Sequence, residues 1–176
     1  MNLVELQNKI HQQNVDMGWW DEPRQFSTFV CLFHSELSEA MEGDRKGLMD
    51  DHLPKYPMFQ VELADFVIRC LDWLGFQSSI GNVATTGEPL CCNLKWGNVD
   101  LLAHLHAKIS NAYALETVNK PCLSMEKIEQ SALLAFYYAE SKGFDLHQII
   151  LEKVEYNKHR ADHKRENRAK TGGKKY

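Results

Sequence analysis

Long hydrophobic runs are missing from this chain: its uninterrupted apolar stretches are short, such as Phe29-Val30-Cys31-Leu32-Phe33, and none exceeds eight residues. A bilayer-spanning helix needs roughly 20 apolar residues, so no membrane partner is expected. The paired-cysteine hooks of zinc and redox sites are missing too. The five cysteines (Cys31, Cys70, Cys91, Cys92, Cys122) are odd in number, and no two are separated by a two-residue gap. Free thiols and a reducing compartment fit that pattern. The opening residues, Met1-Asn2-Leu3-Val4-Glu5, lack the basic segment and apolar core of an export signal, and the expected location is cytoplasmic. Alternating apolar and polar residues, the mark of strands, are scarce.

What is present is an ordinary globular composition, 44% hydrophobic and 25% charged over 176 residues, which excludes wholesale disorder and favours one domain with a tail. Apolar residues recur with a period of about 3.6 through most of the chain, which predicts an all-α helical bundle of five to six helices with a flexible basic C-terminal tail. Helices are expected over 2–13, from Pro23 to Lys46, over 58–74, 98–118, 124–142 and 145–159. The prolines of 50–57 mark a connector, and the glycines and small polar residues of 75–97 mark a long loop. Residues 1–160 are read as the helical domain and 161–176 as the tail.

On the second helix Phe26, Phe29, Val30, Phe33, Leu37, Ala40 and Met41 form one apolar stripe. At about 100° per residue, Glu36 falls at the edge of that stripe and Glu39 about 60° further round, while Glu42 turns towards solvent. The third helix is apolar over more than half its circumference, and its narrow polar strip holds Glu62, Asp65, Arg69 and Asp72. Carboxylates facing one another in an apolar groove repel unless protonated or bridged by cations. If Glu36 and Glu39 face Glu62 and Asp65, the all-oxygen site suits Mg²⁺ or Mn²⁺ rather than zinc, and such ions complete their shells with phosphate oxygens. The bland alternative is a solvated face, with Asp65 and Arg69 in an i, i+4 ion pair.

Net charge is −4, but residues 153–176 alone carry +6, leaving −10 on the rest. Such a segment seeks a polyanion or returns to its own acidic body. The inward stripe of the last helix, Leu146, Ile149 and Ile150, continues as Lys153, Asn157 and Arg160, so its inner face turns from apolar to cationic and points at the acidic groove. Gly172 and Gly173 would let Lys174 and Lys175 fold over bound phosphates; the alternative is a solvated tail. Trp19 and Trp20, beside Asn14 and Asp16, offer an aromatic face for stacking a base and side chains to read its edge. Alternatively one Trp is core and the other covers a helix junction.

Ser35-Glu36-Leu37-Ser38-Glu39, followed by Glu62-Leu63-Ala64-Asp65, resembles the EExxE and ExxD motifs of the MazG-like all-α nucleoside triphosphate pyrophosphohydrolases. The ending, with Lys153, Tyr156-Asn157-Lys158 and Arg160 ahead of Gly-Gly-Lys-Lys, is similar to the compact bacterial and phage members. Ser35 stands where the first Glu of the motif is expected, which leaves open the number of metals and whether Glu42 or a water substitutes. The resemblance implies metal-dependent hydrolysis of an NTP or dNTP between the α and β phosphates to the monophosphate and pyrophosphate, with a deoxypurine triphosphate such as dGTP among the expected substrates. It implies metal ligation by Glu36, Glu39, Glu62 and Asp65, proton abstraction by Glu36 or preferably Glu39, and phosphate binding by Lys153, Asn157, Arg160, Lys174 and Lys175, with the 161–176 tail closing over the phosphates. It also implies a homodimer or homotetramer, a state that the broadly apolar third helix would suit. Two other classes stand beside it. One is a catalytically silent nucleotide sensor; the other is a nucleic-acid or partner-binding module using the basic tail, which the acidic body disfavours. A di-iron carboxylate bundle is set aside because no Glu-x-x-His pair occurs among the groove acids.

Overall fold

The computed structural model describes residues 3–82, 95–168 and 170–172, and these fold as helices, with no strand among them. Six long helices carry the architecture: α1 (Leu3–Asp16), α2 (Phe26–Lys46), α3 (Met58–Ser79), α4 (Asn98–Thr117), α5 (Pro121–Lys142) and α6 (Leu146–His159). A 3₁₀ turn (Ala161–His163) and a single-turn α7 (Arg165–Arg168) follow. No helix among the described residues is long and apolar enough to cross a membrane.

Helices α2 and α3 form a tightly packed hairpin, on which α1, α4, α5 and α6 pack. The Phe29, Phe33 and Leu37 line of α2 meets Leu63, Phe66 and Leu71 of α3 in one continuous core. The apolar circumference of α3 is covered within a single chain by α1, α2, α5 and α6. The reason its composition offered for an assembly is therefore met without a partner. Met41, placed on the apolar stripe by its spacing, sits at the stripe's edge and is exposed.

The helix starts differ from the sequence expectation in two places. Helix α2 begins at Phe26 rather than Pro23, leaving Pro23, Arg24 and Gln25 as an extended lead-in. Helix α5 begins at Pro121, the residue pre-organised for a first turn, rather than at Ser124, whose hydroxyl is buried and has no hydrogen-bond partner among the described residues. Helix α3 runs to Ser79, one turn past Leu74, because Phe76 on that extra turn packs on Trp20. Gly75 lets α1 close against α3: a Cβ there would lie 2.5 Å from the Cβ of His11.

The segment 161–168 is less free than its composition suggests. Ala161–Arg168 folds back across the turn after α1. Arg165 grips Asp21 with two hydrogen bonds of 2.9 and 2.8 Å, and Arg168 donates to the carbonyls of Met17 and Gly18 at 3.1 Å each. Of the two destinations open to the basic segment, this part takes its own acidic body. Lys174 and Lys175 lie outside the described residues.

Candidate metal centre and phosphate cavity

A cavity of about 310 Å³ opens where α2, α3 and α6 meet the turn after α1. The whole polar strip of α3 (Glu62, Asp65, Arg69, Asp72) lines it, together with Glu36 and Glu39 from α2, Lys153 and Asn157 from α6, and Arg160 just past the end of α6. Glu36, Glu62 and Asp65 each place a carboxylate oxygen within 4.8 Å of the others. Glu36 and Glu62 are buried; Glu39, one turn along α2, stays exposed at the rim and stands outside that trio. Its carboxylate accepts a hydrogen bond of 2.9 Å from Ser35, the residue at the motif's departing position. Glu42 pairs with Arg45 and Lys46 along its own helix and does not reach the cavity.

Two cations answer the trio, Lys153 buried and Arg69 partly exposed. Lys153, 1% exposed, places Nζ 2.9 Å from Asp65 Oδ2 and 3.2 Å from His52 Nδ1. Arg69 pairs with Glu36, not with Asp65 as helical spacing alone had allowed. His52 belongs here because the α2–α3 connector turns on Asp50, whose Oδ1 accepts the backbone N–H of His52 at 2.9 Å and of Leu53 at 2.7 Å.

Burial, reinforced by Asp65 and Glu36, pushes the Glu62 carboxyl up to about 9. Burial likewise raises Asp65 despite Lys153, and raises Glu36 despite Arg69. Burial alone would lower Lys153, but Asp65, Asp50 and Glu62 carry it upward. The acidic end thus holds four carboxylates (Glu36, Glu39, Glu62, Asp65) against Lys153 and Arg69, leaving two negative charges to be met by protons or by a cation. An all-oxygen donor set with that residual charge fits one hard divalent ion.

The other end of the cavity holds Asn14, Trp19 and Arg24. Trp20 does not line it. Its indole stacks against Phe29 and Phe76, with ring centres 5.2 and 4.4 Å apart, and Nε1 donates to Asp72 at 2.9 Å, so it is a packing residue and not free to stack a base. His11 shares the same Asp72 oxygen at 2.9 Å. Trp19 does face the cavity, with the Arg168 guanidinium 3.8 Å from its ring centre and His163 edge-on to it. Arg160 lines the wall while held by Asp162. Asn157 keeps its Oδ1 shielded and without a hydrogen-bond partner among the described residues.

Arg24, His52 and His163 escape the sequence reading because they come from loops and turns, where no periodicity reports direction. The proline-flanked connector and the Pro23 lead-in were the only available signals. No protein-family model, curated protein or solved structure matches this chain.

Proposed function

We propose that the chain is a metal-dependent nucleoside triphosphate pyrophosphohydrolase, cleaving an NTP or dNTP between the α and β phosphates to give the monophosphate and pyrophosphate. The observation that carries this reading is the convergence of Glu36, Glu62 and Asp65 within 4.8 Å, in a cavity also lined by Lys153 and Asn157 of α6 and by Arg160 at its end. Acidic and basic groups lining one cavity suit a ligand that is itself a polyanion needing a cation. Glu36, Glu62 and Asp65, with Glu39 beside them, would hold Mg²⁺ or Mn²⁺. When bound, such an ion supplies Lewis acidity towards phosphate oxygens and lowers the barrier to attack by water.

The chain's own groups supply the rest. Glu39, exposed and steadied by Ser35, accepts the proton of the water that bonds to the α phosphorus. The bond from that phosphorus to the bridging oxygen breaks and pyrophosphate departs. Lys153 and Arg160 balance the charge that develops on the leaving group. Asp65 and His52 hold the Lys153 ammonium in place for that task.

The test is a panel of the eight common NTPs and dNTPs with Mg²⁺ or Mn²⁺, resolving monophosphate, diphosphate, pyrophosphate and orthophosphate, beside a D65A control. Monophosphate plus pyrophosphate, lost in D65A, is the expected result. Absence of turnover by the folded protein would remove the enzyme reading. Tight metal-dependent nucleotide binding without products would leave a sensor.

A further inference from the structure

Arg24 stands apart from the cations of the phosphate wall. It lies in the extended lead-in to α2, lines the cavity, and sets its guanidinium carbon 4.9 Å from the Trp20 ring centre and 4.6 Å from that of Phe29. Those two rings orient the guanidinium plane. Its Nε and Nη2 are shielded from solvent and hydrogen-bond to no atom among the described residues. Those nitrogens form the edge with which arginine grips two acceptors at once. Arg160 uses that edge on Asp162 and Arg165 uses it on Asp21. Arg24 uses it on nothing, although buried donors are almost always partnered.

Arg24 packs on Phe29, which lies about 10 Å along α2 from Glu36, the residue whose carboxylate meets those of Glu62 and Asp65. The cavity therefore has two ends, and Arg24 belongs to the one away from the Lys153–Asp65 pair. Asp72 accepts from His11 and Trp20 through Oδ1 and makes no hydrogen bond to the fork of Arg24.

Resting on the pyrophosphohydrolase reading, we propose that Arg24 is a specificity-determining residue that reads the substrate's base, donating from Nε and Nη2 to two adjacent acceptors on one edge of the ring. Adjacent acceptors occur at O6 and N7 of guanine and at O2 and N3 of cytosine. Adenine and thymine or uracil place a donor beside or between theirs. The site therefore favours guanine or cytosine nucleotides, and lysine, which keeps the charge but lacks the fork, cannot replace Arg24.

The test is equilibrium binding of the α,β-methylene analogues of dATP, dGTP, dCTP and dTTP, and of inorganic tripolyphosphate, with Mg²⁺, to the wild type, R24K and R24Q, each first shown folded by its melting curve. The wild type is expected to prefer the guanine or the cytosine analogue by ~10-fold or more over adenine and thymine, within the discrimination a bidentate pair supplies. R24K and R24Q should both bring that ratio towards one while tripolyphosphate affinity holds. The two analogues tell which base is read. A wild type without the preference, or a preference intact in R24K, overturns the proposal. So does an equal loss for all four analogues and tripolyphosphate, which would make Arg24 a phosphate ligand. Each of those outcomes leaves the pyrophosphohydrolase reading standing, whereas failure of the wild type to bind any analogue or tripolyphosphate overturns both.

Discussion

Lys153 Nζ sits 2.9 Å from Asp65 Oδ2, and the lysine is 1% exposed. A lysine so completely withdrawn from water is held by its counter-charge, and the pair joins α6 to α3 at the floor of the cavity. Removing one partner of a buried pair leaves the other charge uncompensated, at a cost of about 3–5 kcal/mol. K153M should therefore lower the stability of the metal-free protein by about that amount at neutral pH. Mn²⁺ should recover part of the loss, since it then answers Asp65 alone. Urea denaturation with EDTA and with Mn²⁺ checks this, and identical curves in the two conditions would contradict it.

Glu62 is protonated near neutrality because burial and its two acidic neighbours push it up to about 9. E62Q then mimics the resting state of the site. Its melting temperature without metal should match the wild type at pH 7, while the rise on adding Mn²⁺ disappears and kcat/KM falls by ~100-fold or more as an electrostatic contact is lost. Paired scanning calorimetry and turnover assays test both halves. A large destabilisation without metal would show that Glu62 is charged there.

The same carboxyl sets a pH dependence. Its folded pKa lies above the ordinary value of 4.5, so the metal-free folded state holds a proton that the unfolded chain gives up. Stability from this group is full below about 4.5 and is lost as pH rises towards about 9. Denaturation midpoints measured in EDTA across that window should fall with pH, and E62Q should flatten the slope. Metal binding at pH 7 should release about one proton, visible in calorimetry as a heat that varies with buffer ionisation enthalpy.

Gly18 holds the C-terminal segment down. Its φ is +78°, and a Cβ there would lie 2.1 Å from Arg165 Nε and 2.5 Å from Asp21 Oδ2. G18A should cost about 1–3 kcal/mol through backbone strain and free Ala161–Arg168 from the turn after α1. Limited proteolysis should then cut after Lys164 or Arg165 faster than in the wild type. Unchanged cleavage would mean that the segment docks without the Arg165–Asp21 grip.

The acidic end of the cavity was legible in the sequence because helices transmit spacing into direction. Glu36 at the stripe edge, Glu39 further round, and Glu62, Asp65, Arg69 and Asp72 on one narrow strip all arrive where about 100° per residue puts them. Lys153 and Asn157 do so for the same reason, whereas Arg160 follows the end of α6 in extended backbone and reaches the cavity from there. The Trp pair was not legible. Whether Trp19 or Trp20 faces the cavity depends on Phe76, which lies on a turn of α3 that the glycine at 75 appeared to end.

The sequence by itself determined the all-helical architecture, the helix faces and the order of acidic and basic stripes, because each follows from contacts within a few residues along one helix. Tertiary structure alone decided the partners: Arg69 on Glu36 rather than Asp65, Lys153 on Asp65, Trp20 in the packing, and Arg165 and Arg168 on the turn after α1. Those choices join residues distant in the chain, and they are settled by which buried charges and rings the packed helices bring within reach of one another.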